Sequence, residues 1–155
     1  MRRTSWLVVA SILFACTAGA APTVAASPSA PIAIGEVTSE VTREGVDVAL
    51  ELRAVVEQEL PAVDMAGRPK PRPAILSVAL LRMERASSAD KKTSVACVVT
   101  ATVRDKRKGA IVAVLEGRAR AENEDRFALL LEHAVMKSAV RGALARLPEA
   151  LDATH

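Results

Sequence analysis

The stretch SVACVVTATVR-DKRKG-AIVAVLEGRARA, residues 94–121, decides the fold. Its first part alternates so that one face of a strand is apolar and the other is small or polar. The middle part, residues 105–109, is polar and ends in a glycine, as tight hairpin turns often do. The last part, residues 110–121, predicts a second strand. The apolar alternate positions of the first strand are Val95, Cys97, Val99, Ala101 and Val103.

The segments upstream and downstream of this hairpin predict two more strands and two helices. Residues 75–85 and 32–38 are rich in apolar residues and predict strands. Between them, residues 46–60 carry apolar side chains at helical spacing, and Pro61 ends that helix. From residue 122, cap-type and acidic residues precede a long helix that runs to residue 147 and stops at Pro148.

The predicted element order is therefore β-α-β-β-β-α, an α+β fold. Neither helix can bury its apolar face on the other helix alone. The order favours a two-layer sandwich, with two helices on one face of a four-stranded, mainly antiparallel sheet. Residues 61–73 are proline-rich and predict a stiff, solvated connector between the first helix and the second strand.

The N-terminus has the three parts of a secretory signal peptide. Arg2 and Arg3 precede an apolar run over residues 6–15, and small residues follow it. This run is too short to cross a bilayer, which takes about 20 residues. We predict a signal peptide over residues 1–20, an Ala/Pro/Ser-rich tether over 21–31, a single domain over 32–148 and a flexible tail over 149–155.

Two processing routes fit this signal, and they differ in whether the mature domain is anchored to a membrane. Ala18-Gly-Ala20 is a cleavage site that would leave an exported chain starting at Ala21. Alternatively, Leu13-Phe-Ala-Cys16 resembles the lipobox of bacterial lipoproteins, which implies lipidation of Cys16. The predicted localisation is the periplasm, or the outer membrane by a lipid anchor at Cys16.

Composition excludes several classes of function. Loss of Arg2 and Arg3 with the signal lowers the Lys and Arg count from 21 to 19, against 18 acidic residues. The excess of positive charge therefore lies largely in the signal peptide. Phe127 is then the only aromatic residue, which argues against base or sugar stacking. We therefore predict no nucleic-acid partner, and contact with a membrane only through a lipid anchor.

The sequence offers few groups for catalysis or for cofactor binding. His133 lies on a polar helix stripe, and His155 is the last residue. Cys97 lies among valines with no basic neighbour in sequence, as a buried structural cysteine does. No zinc spacing and no glycine-rich phosphate loop occurs. We predict a protein that is not an enzyme and has no catalytic residue, metal or cofactor.

The sheet face away from the helices is the predicted partner-binding surface. Unbroken alternation places an apolar patch near the 105–109 turn and charged side chains at the other end of that face. Such a patch indicates a protein partner or a second copy of the chain, unless the tether or the tail covers it. The predicted partner-binding residues are Leu76, Val78, Leu80, Val112 and Val114.

The hairpin turn is a candidate contact for a polyanion of the cell envelope. Its cations are Arg104, Lys106, Arg107 and Lys108. Hairpin turns are commonly solvated and lysine-rich, so a purely structural turn also explains them.

The chain resembles known families in its order of elements. From residue 46 to 147 the order is that of double-stranded-RNA-binding domains, but the export signal and the small net charge argue against RNA. With the export signal, the tether and the VRDKRKGAIV hairpin at residues 103–112, the chain resembles small bacterial envelope proteins. These include the penicillin-binding-protein activator lipoprotein, the curli-secretion lipoprotein and the N-terminal domain of the Tol-Pal periplasmic protein. The resemblance implies a non-enzymatic adaptor or assembly component; the alternative is a small exported enzyme or enzyme inhibitor.

Overall fold

The computed structural model describes residues 32–65 and 73–152, so the predicted signal peptide, Cys16 and the tether lie outside the described residues. Four strands and three helices follow in the order β-α-β-β-β-α-α. The strands are β1 (Ile32–Ser39), β2 (Ala74–Ser87), β3 (Lys92–Asp105) and β4 (Ile111–Glu124). The helices are α1 (Val48–Glu59), α2 (Ala128–Leu144) and the short α3 (Leu147–Asp152).

The strands form one sheet in the order β1-β2-β3-β4. β1 runs parallel to β2, and the other two pairings are antiparallel. The predicted α+β class and element order are confirmed. α1 begins where the Asp47 carboxylate accepts a hydrogen bond from the Leu50 amide at 3.0 Å, which satisfies one free N–H of the first helical turn.

Both long helices pack on the same face of the sheet. The alternate residues of β3 are buried, as the sequence pattern predicts, and they contact apolar residues of α1 and α2. β3 therefore lies at the centre of a single hydrophobic core. The fully buried large side chains of this core include Leu52, Val55, Val56, Leu76, Leu80, Val95, Val99, Val103, Met136, Val140, Leu144 and Leu147.

Because of a β-bulge in β2, three candidate residues lie on the opposite face of the sheet from the one predicted. The register of β2 against β3 shifts between Leu80 and Arg82, so one extra residue, Leu81, changes the phase of the strand. Before the bulge, Leu76, Val78 and Leu80 lie opposite Val103, Ala101 and Val99, and all three are buried beneath the helices. After it, Arg82 and Glu84 lie on the other face, opposite Val98 and Ala96. The assignment of Leu76, Val78 and Leu80 to a partner-binding face is wrong, because a shift of one residue moves side chains to the opposite face.

Pro148 does not end the helical structure. After a turn at residues 145–146, α3 begins at Leu147 with Pro148 in its first turn, where no intrahelical N–H bond is lost. The segment predicted as a flexible tail is thus helical to Asp152. Leu151 packs against the core, so this part of the tail lies on the helix side of the sheet.

α2 approaches the sheet very closely at Gly117 of β4. A Cβ atom there would lie 1.9 Å from the Ala139 carbonyl oxygen and 2.8 Å from the Ala143 amide nitrogen. Both are backbone atoms, so the helix would have to move away to make room. The absence of a side chain at residue 117 sets the distance between the helix and the sheet.

We predict that Gly117→Ala destabilises the fold by about 3 kcal/mol, because the added methyl overpacks a helix–sheet contact that has no flexible side chain to yield. Chemical denaturation followed by circular dichroism measures the change. Gly142→Ala is the matched control: its Cβ would have no neighbour closer than the Gly117 Cα at 4.0 Å, and alanine favours the helix. Equal stability of the Gly117→Ala variant and the wild type would contradict the prediction.

Candidate functional site

One face of the sheet has neither α1 nor α2 packed against it, and we call this surface the open face. Within residues 32–65 and 73–152, both long helices lie on the opposite face. The pairing registers place the residues of the open face in rows across β2, β3 and β4. The open face includes Ile75, Ser77, Ala79, Arg82, Glu84, Ala96, Val98, Thr100, Thr102, Arg104, Ile111, Val114, Glu116, Arg118, Arg120, Glu122 and Glu124.

The end of the open face nearest the hairpin turn carries fewer apolar side chains than predicted. The row closest to the turn is Ile75, Arg104 and Ile111, and Ile111 is 59% exposed. Ser77, Thr102 and Val114 form one row, and Ala79, Thr100 and Glu116 form the next. Val114 is the one predicted partner-binding residue that is strongly exposed there, at 61%. Val112 is half-buried and packs against the core, next to the register shift between Val103 and Arg104. The surface that results combines two exposed apolar side chains, Ile111 and Val114, with small and polar ones.

The other end of the open face is charged, as predicted. Arg82 and Arg118 lie on either side of Val98, and Glu84 and Arg120 lie on either side of Ala96. Arg82 pairs with Glu84 along β2 at 3.5 Å, and Arg118 pairs with Glu116 along β4. The hydrogen bond from Arg118 lowers the pKa of the Glu116 carboxyl. Ion pairs this exposed add little stability, so their charges remain available to a binding partner.

The basic turn is held by Asp105. Its carboxylate accepts hydrogen bonds from the backbone amides of Arg107 at 2.7 Å and Lys108 at 2.8 Å, and Gly109 adopts a left-handed φ of 67°. All four predicted cations, Arg104, Lys106, Arg107 and Lys108, are exposed.

The basic turn lies at the end of the sheet where β1 begins. Asp105 lies opposite Ala74, which in turn lies opposite Ile32, the first residue of β1. The chain therefore enters the domain at the same end of the sheet as the basic turn.

Two buried carboxylates join α2 to the rest of the helix layer. Glu59 of α1 is 5% exposed; it accepts a hydrogen bond from Arg141 at 2.8 Å and pairs with Lys137 at 3.3 Å. The hydrogen bond from Arg141 lowers the pKa of the Glu59 carboxyl, against the opposing effect of burial. Glu132 of α2 accepts a hydrogen bond from Arg43 and lies 3.8 Å from Arg85.

The remaining candidate groups for chemistry lie apart from one another. Cys97 is 1% exposed in the middle of β3, and burial raises the pKa of its thiol to about 11. His133 is exposed on α2, with its Nδ1 3.3 Å from an oxygen of Glu51. Among residues 32–65 and 73–152, no three His, Cys, Asp or Glu side chains are grouped so that they could hold a metal ion.

No helix in the described part of the chain combines the length and the apolar composition that crossing a membrane requires.

No protein-family model matches this sequence, and the search of curated proteins found no match. The fold is shared with PelC from Paraburkholderia phytofirmans, solved as a dodecamer, at 17% identity and a TM-score of 0.54 over 76% of this chain and 86% of that chain. The hypothetical protein CT253 from Chlamydia trachomatis aligns at 12% identity and a TM-score of 0.51 over 79% and 98%. A minor lipoprotein from Acinetobacter baumannii aligns at 11% identity and a TM-score of 0.47 over 74% and 92%. At these identities the similarity is one of fold, and membership of the three families named from the sequence stays a prediction.

We predict that Cys97 does not react with a thiol reagent in the folded protein, because its thiol is buried and protonated at neutral pH. Mass spectrometry after a short treatment with iodoacetamide at pH 7.5 measures this. The same treatment in denaturant, which exposes the thiol, is the control and should label Cys97 fully. Labelling of Cys97 at similar rates in both conditions would contradict the prediction.

We predict that the ionised Glu59 side chain stabilises the fold by about 1 kcal/mol at neutral pH, as a buried carboxylate that accepts hydrogen bonds from cations does. The pKa of Glu59 is lowered by folding, so this contribution is complete above the ordinary glutamate value of 4.5. It is lost as the pH falls below 4.5 through the lower folded pKa.

The Glu59→Gln variant tests this contribution through urea unfolding at a series of pH values. The stability difference from the wild type should be constant from pH 7 to about 5 and should shrink below pH 4.5. Glu57→Gln, which removes an exposed carboxylate two residues away, is the control and should cost less at every pH. A difference for Glu59→Gln that grows as the pH falls would overturn the assignment.

Proposed function

We propose that this chain is an exported protein of the bacterial cell envelope and acts as a non-enzymatic adaptor or assembly component. The observation that carries the proposal is the open face, a sheet surface without a covering helix that ends in exposed charges on β2 and β4. Protein partners bind surfaces through an apolar centre and a polar or charged rim, and here Val98 and Val114 lie next to the charged residues.

The state of the reactive side chains also supports a role without catalysis. The buried carboxylates Glu59 and Glu132 are both neutralised by cations that join elements of the fold. Cys97 lies inside the core and is protonated. A catalytic group has to reach a substrate, and none of these three side chains opens onto the open face.

The assembly of PelC into a dodecamer is known for that protein only, but it indicates that this fold is compatible with self-association. Either an envelope protein or another copy of the chain is therefore a suitable partner in the proposal. Charge complementarity at a rim of arginine and glutamate side chains would select among such partners.

The end of the sheet at which the chain enters supports a place near the membrane. If Cys16 is lipidated, residues 17–31 connect it to Ile32, a segment that spans about 50 Å when fully extended. The basic turn lies beside Ile32, so its cations would be held near anionic headgroups. Cleavage after Ala20 would leave the same domain free in the periplasm.

A photo-crosslinking residue in place of Thr100, at the centre of the open face, tests the adaptor role in living cells. We expect covalent adducts with one envelope protein or with the chain itself, identified by mass spectrometry. The same residue in place of Ala54, which is exposed on α1, is the control and should give none of these adducts. The absence of adducts from Thr100, or the same adducts from both positions, would refute the proposal.

A further inference from the structure

β4 is an edge strand, and in the described part of the chain no other strand pairs with its outer side. It is 14 residues long, and its register against β3 is unbroken from Ala113 to Glu124. The other edge, β1, has eight residues and a register shift in its middle. A long, regular edge presents a row of free backbone N–H and C=O groups to another strand. β4 is thus the better template for strand addition.

The charges along β4 select a specific partner for that edge. On the open face, the second half of the strand carries Arg118, Arg120, Glu122 and Glu124, two cations followed by two anions. Two copies of this strand, paired antiparallel about Ala121, place Arg118 opposite Glu124 of the second copy and Arg120 opposite Glu122. The two-fold symmetry repeats both pairs, so all four positions face an opposite charge.

Other registers of the same pairing do not achieve this match. Pairing about Ala119 would place Arg118 opposite Arg120 and Glu116 opposite Glu122, which is unfavourable. Pairing about Gly117 would place Arg118 opposite Glu116 but would leave Arg120 opposite Val114 and Glu122 opposite Val112, so only one kind of charged pair would form. Within one chain, these residues form exposed ion pairs, such as Lys92 with Glu122 at 3.5 Å. Exposed pairs contribute little stability, so pairs across the interface can replace them.

The helix layer fits the same two-fold arrangement. α2 contacts both β3 and β4, so its axis lies over the space between them. With strands about 4.8 Å apart, the two α2 helices would then lie about 10 Å apart, within the range of packed helices. The side of α2 turned away from α1 carries Ala134, Ser138 and Gly142, which are exposed and spaced four residues apart. Their short side chains allow this close approach.

We propose that two copies of this chain associate through β4 in antiparallel register about Ala121, forming a continuous eight-stranded sheet with α2 against α2. The complementary charges, the free edge and the small helix surface carry the inference together. It goes beyond the proposed adaptor role and does not rest on it, because it concerns the edge of the sheet and not the centre of the open face.

Charge reversal at Arg120 and Glu122 tests the register directly. Sedimentation velocity of the purified processed protein should show a dimer for the wild type. Arg120→Glu places Glu opposite Glu122 twice, and Glu122→Arg places Arg opposite Arg120 twice. Each single variant should therefore raise the dimer dissociation constant at least tenfold, and the double variant should restore it.

An equimolar mixture of the two single variants should form a heterodimer, because every charged pair between them is again opposite in sign. Glu57→Arg, which reverses an exposed charge on α1 away from both the β4 edge and the open face, is the control and should leave the dimer intact. Circular dichroism confirms that each variant is folded. A monomeric wild type, or single variants that dimerise as tightly as the wild type, would overturn the proposal. The Thr100 crosslinking result would be unaffected by either outcome.

Discussion

The packing of α2 against β4 at Gly117 is the contact on which the arrangement of this domain depends. Because no side chain separates the helix backbone from the strand there, α2 lies unusually close to the last strand of the sheet. Both helices then fit side by side over four strands, and the opposite face of the sheet receives no helix. The open face lies on the other side of the sheet from this contact, and β4 forms the edge of the sheet beneath α2.

The buried carboxylates show how the helix layer is fixed in place. Burying a lone carboxylate is costly, so Glu59 and Glu132 are stable only with cations beside them. Their partners come from other elements: Arg141 and Lys137 join α2 to α1, and Arg43 and Arg85 join α2 to the loop before α1 and to β2. These pairs require one alignment of the helices, which apolar packing alone specifies less strictly. The hydrogen bond from Arg141 accounts for the lowered pKa of Glu59, against the opposing effect of burial.

The sequence predicts the architecture well because the apolar alternation of β3 and the spacing of α1 have a direct physical meaning. The sequence predicts the candidate surface poorly because the extra residue of a β-bulge, here Leu81, is of no distinctive residue type. In β2, apolar residues occupy alternate positions to Leu80, and charged residues then continue in the same phase at Arg82 and Glu84. That change from apolar to charged was the available signal for a phase shift. Glu59 offered a similar signal, since it follows Val55 by four residues and lies on the apolar stripe of α1.

The charges of β4 bear on how an edge strand avoids unwanted pairing. A strand with charges of one sign repels every copy of itself, whereas two arginines followed by two glutamates face opposite charges at all four positions only when paired about Ala121. A two-fold pairing of this kind also inverts one copy relative to the other, so the two Ile32 residues, and the basic turns beside them, lie at opposite ends of the joint sheet. If both copies are tethered to one membrane through Cys16, the two basic turns cannot both face the membrane while the strands run perpendicular to it. A joint sheet lying along the membrane would bring the basic turn at each end equally close to the headgroups.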